Sequence, residues 1–348
     1  MKPKRVHLIA FALLLAGAFW FYLKSQVVTL DPRPDSEVEM TTVENGTTYK
    51  LHQGNLYRVL PRSGKWEFVK QYYDTHFYAS NYAEHEGQLC RKGSNNEFIP
   101  VKRSFSEDFE GVTKLADLIG YKRGWTTCEL QSPKAPKVSD YVKLRNRIMK
   151  GESDFLDNRI EPSSEIVHGG KTALKTVSVS PNRRMVTAKS SLSSELLHFV
   201  KGDDVWISIW CHVPKGSGIP FTVLDLETTW MSEHPGMRIV ISDGRHVAVQ
   251  FKGDGHAYHR QLKGSEVTFP TGQWVRLRMH LKLSEQDDGV IEVWQDAQKI
   301  IDTRARTLVL ANTIYNSFEI GISAYNEKDK TATLYVDDVE ISAQPMAP

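Results

Sequence analysis

Trp274-Val-Arg-Leu-Arg-Met-His-Leu-Lys-Leu283 alternates without a break, with Val275, Leu277, Met279, Leu281 and Leu283 set against Trp274, Arg276, Arg278, His280 and Lys282. Successive strand side chains point to opposite faces of a sheet, so one face of this strand is apolar and the other carries an aromatic ring followed by basic groups. The apolar face needs a second layer to cover it, and the basic face needs water or an anionic partner. A β-sandwich satisfies both demands. A groove for an acidic polymer is the functional expectation, weighed against an ordinary solvated strand face.

The same alternation recurs on either side of that stretch. Val205-Trp-Ile-Ser-Ile-Trp-Cys-His212 sets Trp206, Ser208, Trp210 and His212 opposite Val205, Ile207, Ile209 and Cys211, and further short strands are expected over 237–242, 247–251, 290–294, 318–324 and 334–341. Asp243-Gly244, Asp254-Gly255 and Asp288-Gly289 supply turns between them. Helical spacing is confined to 112–120 and 138–149, with Pro133 and Pro136 in between. Many short strands at regular spacing without an internal repeat predict an all-β fold, a jelly-roll sandwich over 104–343.

The rest of the chain sets limits. Its 348 residues are 40% hydrophobic and 25% charged with a formal net charge of +2, which argues against nucleic acid as a partner. Lys2, Lys4 and Arg5 precede an apolar run from Val6 to Leu23 closed by Lys24. That pattern predicts a signal anchor over 1–24, a single pass through the cell membrane with the remainder outside the cytoplasm in a periplasmic or extracellular setting; a signal peptide cleaved after Ala16-Gly17-Ala18 is the alternative. Residues 25–46 read as a linker containing Pro32 and Pro34, and 47–103 as a small Tyr-rich β element of two or three strands. Asn45-Gly46-Thr47 fits a glycosylation sequon. Of the three cysteines, Cys90 and Cys128 could pair in an oxidising compartment, and Cys211, inside an apolar strand, is expected as a buried thiol.

Several segments resemble the concanavalin A-like jelly-roll domains, specifically polysaccharide lyases similar to heparin lyase I and glucuronan lyase. They are His168-Gly-Gly-Lys-Thr-Ala-Leu-Lys175, Gly202-Asp-Asp-Val-Trp-Ile-Ser-Ile-Trp210, Gly272-Gln-Trp-Val-Arg276 and Ile291-Glu-Val-Trp294. Phe105-Ser-Glu-Asp-Phe-Glu-Gly111 and Leu334-Tyr-Val-Asp-Asp-Val-Glu-Ile341 look like that fold's paired first and last strands. The resemblance implies carbohydrate binding and eliminative cleavage of an acidic polysaccharide. Of the Arg-x-Glu-Leu common in such lyases, Ser193-Ser-Glu-Leu196 keeps Glu195 and Leu196, and the Gln-x-His and Tyr-x-Lys-x-Gly-x-Tyr motifs have no clean counterpart.

Elimination at a uronate needs a group to neutralise the carboxylate, a base for the C5 proton and an acid for the departing oxygen. The densest supply of such groups is Gln250-Phe-Lys252 followed by His256-Ala-Tyr-His-Arg-Gln261. His256 and Tyr258 are the expected base and acid, with His259 as a substitute. Trp210, His212, Arg238, Gln250, Lys252, Arg276, Arg278 and His280 are the expected substrate-binding side chains, with the alternative that the Trp210 face is a second buried side. Asp225 and Glu227 share a strand face. They could serve glycoside hydrolysis as a carboxylate pair, but an ion pair of this cluster with Arg238 or Arg276 is the plainer role. Asp108 and Asp337 would approach each other if the first and last strands pair, which suggests a structural Ca2+. The remaining alternative is a structural or interaction protein of the cell envelope. It gains if Arg276, Arg278, Trp210 and His256 do not share one face.

Overall fold

The computed structural model describes residues 29–73, 81–93, 97–253 and 256–346. Its contacts divide the chain into two units, 1–75 and 76–348. The expected anchor over 1–24 lies outside the described residues. Among the described residues no helix is long and apolar enough to cross a membrane.

The first unit is a five-stranded antiparallel sheet built from β1 (Thr29–Leu30), β2 (Met40–Glu44), β3 (Thr47–His52), β4 (Asn55–Val59) and β5 (Trp66–Gln71), in the order β1-β5-β4-β3-β2. Asn45-Gly46 and Gln53-Gly54 both have positive φ at each residue, the backbone that a tight hairpin requires. Leu51, Tyr57 and Trp66 form its small buried cluster. The sequence reading placed 47–103 in one element. The contacts instead join 47–71 to the preceding strands and leave 82–100 in the second unit.

The second unit opens with a three-stranded sheet, β6 (Tyr82–His85), β7 (Gln88–Lys92) and β8 (Phe98–Pro100). The sandwich then runs through β9 (Ser104–Glu107), α1 (Leu115–Leu118), β10 (Thr127–Gln131), α2 (Val138–Met149), β11 (Arg159–Ser163), β12 (Ala173–Ser178) and β13 (Ala188–Ser194). It continues with β14 (Asp204–His212), β15 (Phe221–Glu227), β16 (Gly236–Ile241), β17 (Val247–Lys252), β18 (Ala257–His259) and β19 (Trp274–Lys282). The closing strands are β20 (Val290–Gln295), β21 (Gln298–Arg304), β22 (Ser317–Tyr325) and β23 (Ala332–Ser342). A seven-stranded sheet has the order β10-β13-β22-β15-β16-β17-β18, and an eight-stranded sheet has the order β11-β12-β23-β14-β19-β20-β21 with β9 paired to β23. The pairing of first and last strands is thus as expected, with Glu107 opposite Val339. Helix α1 is shorter than the spacing predicts. The Asp117 carboxylate binds the Thr113 and Lys114 N–H groups at its start, and Gly120 adopts positive φ just past its end.

The apolar face of β19 is the core of the sandwich: Val275, Leu277, Met279 and Leu281 are fully buried, as are Val205, Ile207, Ile209 and Cys211 of β14. Burying each such aliphatic side chain stabilises the fold by about 1.5–3 kcal/mol relative to exposure. The Trp206 and Trp210 side of β14 is only partly covered, so it is an outer face and not a second core. The three cysteines are buried free thiols, and the Cys90–Cys128 pairing is not formed. Burial pushes the Cys128 thiol up to about 12.

Candidate active site

The outer side of the seven-stranded sheet is polar, and the register explains why. Thr127 pairs with Ser193, Ser193 with Glu319, Glu319 with Asp225, Asp225 with Arg238, Arg238 with Gln250 and Gln250 with Tyr258. This is a row of one residue per strand on a single face. Their neighbours along each strand, such as Leu192, Ile320, Leu226, Met237 and Phe251, point into the core by the period-two rule. Residues two positions away extend the face, Glu129 and Ser191 toward one end with Lys189 two residues further, and Ser317, Glu227 and Lys252 toward the other.

The floor of this face is a charge array out of water. Asp225, Glu227 and Glu319 are all buried. Arg238 Nε donates to Asp225 Oδ1 at 2.7 Å, and the Ser323 hydroxyl donates to the other oxygen. Lys252 Nζ reaches Glu227 Oε2 at 2.6 Å, Arg145 of α2 reaches Glu129 at 2.8 Å, and the Ser191 hydroxyl donates to Glu319. Buried carboxylates persist only when so compensated. Asp225 and Glu319 are shifted in opposite directions. Burial would raise Asp225, but Arg238, Lys252, Ser323 and Lys189 outweigh it and hold the carboxylate below its ordinary range. Burial raises Glu319 to about 8, and Asp225, Glu227 and Glu129 push it the same way against Lys189. The attraction of Glu319, followed by the other carboxylates, in turn outweighs burial at Lys189 and keeps it cationic.

Above this floor stand the groups that a solute can reach. Tyr258 is 47% exposed. His256 Nδ1 lies 3.5 Å from the Gln250 amide, and the His234 ring lies 3.7 Å from Glu227. At the Glu195 end, the three-stranded sheet contributes Arg91, which donates to the Glu195 carboxylate at 3.1 Å and lies over the Trp230 ring. Trp230 Nε1 donates to the Tyr82 hydroxyl at 3.0 Å.

The expected site residues therefore divide. Arg238, Gln250, Lys252, His256 and Tyr258 come together on the seven-stranded sheet. His259 follows Tyr258 by one residue, so the pleat turns it to the other side of the sheet, where it borders a cavity of about 420 Å³ with Glu285 and Asp287. Burial lowers its pKa, and its Nε2 has no hydrogen-bond partner among the described residues. Trp210, His212, Arg276, Arg278 and His280 lie on the outer side of the eight-stranded sheet, opposite the polar face. Arg276, Arg278 and Trp210 thus do not share a face with His256, an outcome that favours the structural or interaction alternative over a single groove. Trp210 is stacked under His168 at 3.8 Å, and buried His212 packs against Trp274 and Tyr335. The Asp225–Arg238 ion pair meets the plainer reading of those carboxylates.

The donor set at Asp108 and Asp337 does not fit a calcium ion. Buried Asp337 accepts N–H bonds from His168 at 3.0 Å, Gly169 at 3.2 Å and Asp338 at 2.9 Å, while Asp108 accepts from Glu110 at 3.0 Å. Carboxylates spent on backbone donors leave few oxygens for a cation that takes six to eight. The cleft beside Asp108 is bordered by Asp338 and Glu340, and Asp337 is turned inward.

Lys189, Glu319 and Ser191 were not read as site residues from the sequence, and Ser193 entered only as the first residue of Ser193-Ser-Glu-Leu196. A signal was present: Glu319 is an acid in an otherwise apolar strand, and Lys189 opens the serine alternation that leads into Ser193-Ser-Glu-Leu196.

A model of the polysaccharide lyase family matches residues 119–340. No curated protein matches the chain. Among solved structures, endo-β-1,4-glucuronan lyase from the fungus Trichoderma reesei is 13% identical with a TM-score of 0.50, over 70% of this chain and 96% of that one. The cellulose induced protein Cip1 is 16% identical with a TM-score of 0.47 over 70% and 99% of the two chains. The alginate lyase Aly36B is 9% identical with a TM-score of 0.43 over 71% and 100%. The likeness to glucuronan lyase speaks to the jelly-roll fold alone.

Proposed function

As the chain belongs to the polysaccharide lyase family, we propose that the polar face of its seven-stranded sheet binds an acidic polysaccharide and cleaves it by elimination. The observation that carries this reading is the row from Ser193 to Tyr258, one side chain per strand, with compensated charges below and titratable groups above. Lys189 and Arg238 are the cations placed to receive a uronate carboxylate, which makes the C5 proton more acidic. Tyr258 and His256 are the base and acid. One takes the C5 proton, the C4–C5 double bond forms as the C4–O bond breaks, and the other protonates the departing oxygen. Asp225, Glu227 and Glu319 are too deeply buried to meet the sugar, so they act as positioning residues for the cations.

Hydrolysis by Asp225 and Glu227 is the weaker reading, since Arg238 and Lys252 engage the two carboxylates. On the anchor reading of 1–24, the enzyme works outside the cytoplasm, tethered to a membrane. Incubation of the exported portion with a panel of acidic polysaccharides tests the reaction. Rising ultraviolet absorbance from an unsaturated uronate is expected with one polymer. A flat trace together with new reducing ends would mean hydrolysis, and a flat trace with none would overturn cleavage altogether.

A further inference from the structure

The outer face of the eight-stranded sheet carries a second concentration of charge and aromatic rings, and most of its cations are already neutralised. His280 lies between Asp204 at 2.9 Å and Glu292 at 2.7 Å, Lys282 meets Asp204 at 2.9 Å, and Lys299 meets Glu292 and Asp302. Arg278 differs. No carboxylate lies within ion-pairing distance of it among the described residues, and its guanidinium rests over the Trp294 ring at 5.4 Å. The register places Arg278 between Ser208 and Trp294, with Arg276 two residues away on the same face. Two residues along a strand span about 7 Å, so the two arginines leave the same face of the sheet as neighbours. Arg276 is held by the Ser208 hydroxyl at 3.0 Å. Trp206, stacked on His280, borders the pair. Burial and then the neighbouring Arg276 lower the pKa of Arg278, as expected of a cation lacking a counter-charge.

Lys282 and Lys299 on this face have carboxylate partners and Arg278 has none among the described residues, which leaves it open to an anion, and a flat indole beside it suits a sugar ring. We infer that Arg278, with Arg276 and Trp294, forms a second binding surface for a carboxylate-bearing polysaccharide, on the opposite side of the sandwich from the polar face. This surface rests on the acidic-polymer part of the proposed function and not on cleavage. The two faces are separated by two sheets packed about 10 Å apart, so one segment of polymer cannot occupy both. A long polymer held here keeps the enzyme on its substrate while another segment is processed.

The test is retention on immobilised alginate, with an immobilised neutral glucan as control, read by affinity electrophoresis of the full exported portion. Arg278→Ala and Trp294→Ala should each weaken retention by about ten- to a hundredfold, the size of a lost charge-assisted contact. Arg278→Lys should recover part of it, and added salt should weaken the wild type. Thermal melts of each variant show that the loss is not unfolding. Folded Arg278→Ala retained as well as the wild type would overturn the inference, as would equal retention on the neutral glucan. A protein that cleaves none of the polymers but is retained through Arg278 would sink the lyase reading and leave this surface standing.

Discussion

The two outer faces of the sandwich use the same residue types in opposite ways. On the seven-stranded sheet Asp225, Glu227 and Glu319 are buried, Asp225 is paired with Arg238 and Glu227 with Lys252, and the partly exposed Glu129 is paired with Arg145. On the eight-stranded sheet the charged side chains range from largely covered His280 to exposed Asp302, His280 and Arg278 lie against indole rings, and Arg278 is left without a carboxylate among the described residues. A buried, balanced array holds a few groups in fixed positions in a low dielectric, which is what chemistry requires. A shallow aromatic and basic face gives contact without such positioning, which is enough for adhesion. Reading the family from the fold does not tell these faces apart. The depth of the charges does.

The comparison breaks most readily through catalysis. Tyr258→Phe should lower turnover by about 10²–10⁴-fold if Tyr258 moves a proton in the transition state, measured as the initial rate of unsaturated product. A variant within a factor of two of the wild type would remove Tyr258 from the reaction.

The next largest effect contrasts two arginines. Arg238→Ala strands the buried Asp225 carboxylate, and breaking a buried pair in this way costs about 3–5 kcal/mol. Arg278→Ala removes no ion pair and should stay within about 1 kcal/mol of the wild type. Urea unfolding of the two variants measures the difference. Equal losses would mean that the depth of the charges does not separate the faces.

A smaller effect is expected from pH. The Glu319 carboxyl is raised in the folded state, from 4.5 to about 8, so the stability of its protonated form is fully present below the ordinary carboxylate value and lost as pH rises toward 8. Glu319→Gln removes that titration. Its stability relative to the wild type should therefore rise with pH across this window, as followed by chemical denaturation at a series of pH values. Asp225, whose pKa is lowered, works in the other direction and matters only as pH falls below the ordinary carboxylate range. A flat difference between Glu319→Gln and the wild type would show that Glu319 is ionised throughout. The smallest effect is expected from a chelator, which should leave the melting temperature where it was, because the Asp337 oxygens are occupied by N–H groups. A clear fall on chelation would restore a calcium ion to the β9–β23 junction.

Much of the sandwich was legible because strand alternation is local. The face of β19 that is buried follows from its own residues, and the same holds for β14. The hairpin from Gln250 to Tyr258 was also readable as one cluster, since its members are close in sequence and pair across adjacent strands. Arg276 and Trp210 were legible as a basic and aromatic face, but their separation from His256 was not. Period-two patterning says which side chains share a face of one strand, and nothing about which side of the sandwich that face occupies.

The sequence by itself determined the two-layer architecture, because an apolar stripe on one side of each strand has to be covered. Tertiary structure alone joined the remainder of the candidate site to the hairpin of Gln250 and Tyr258. Ser193, Asp225 and Glu319 come from β13, β15 and β22, and they become neighbours only through a strand order in which β22 enters between the other two. That order is set by pairings between distant segments, and no local pattern records it. The register of consecutive strands, by contrast, set Asp225 opposite Arg238 and Arg278 opposite Trp294. Two arginines with similar sequence surroundings thereby acquired a buried counter-charge in one case and an aromatic ring in the other.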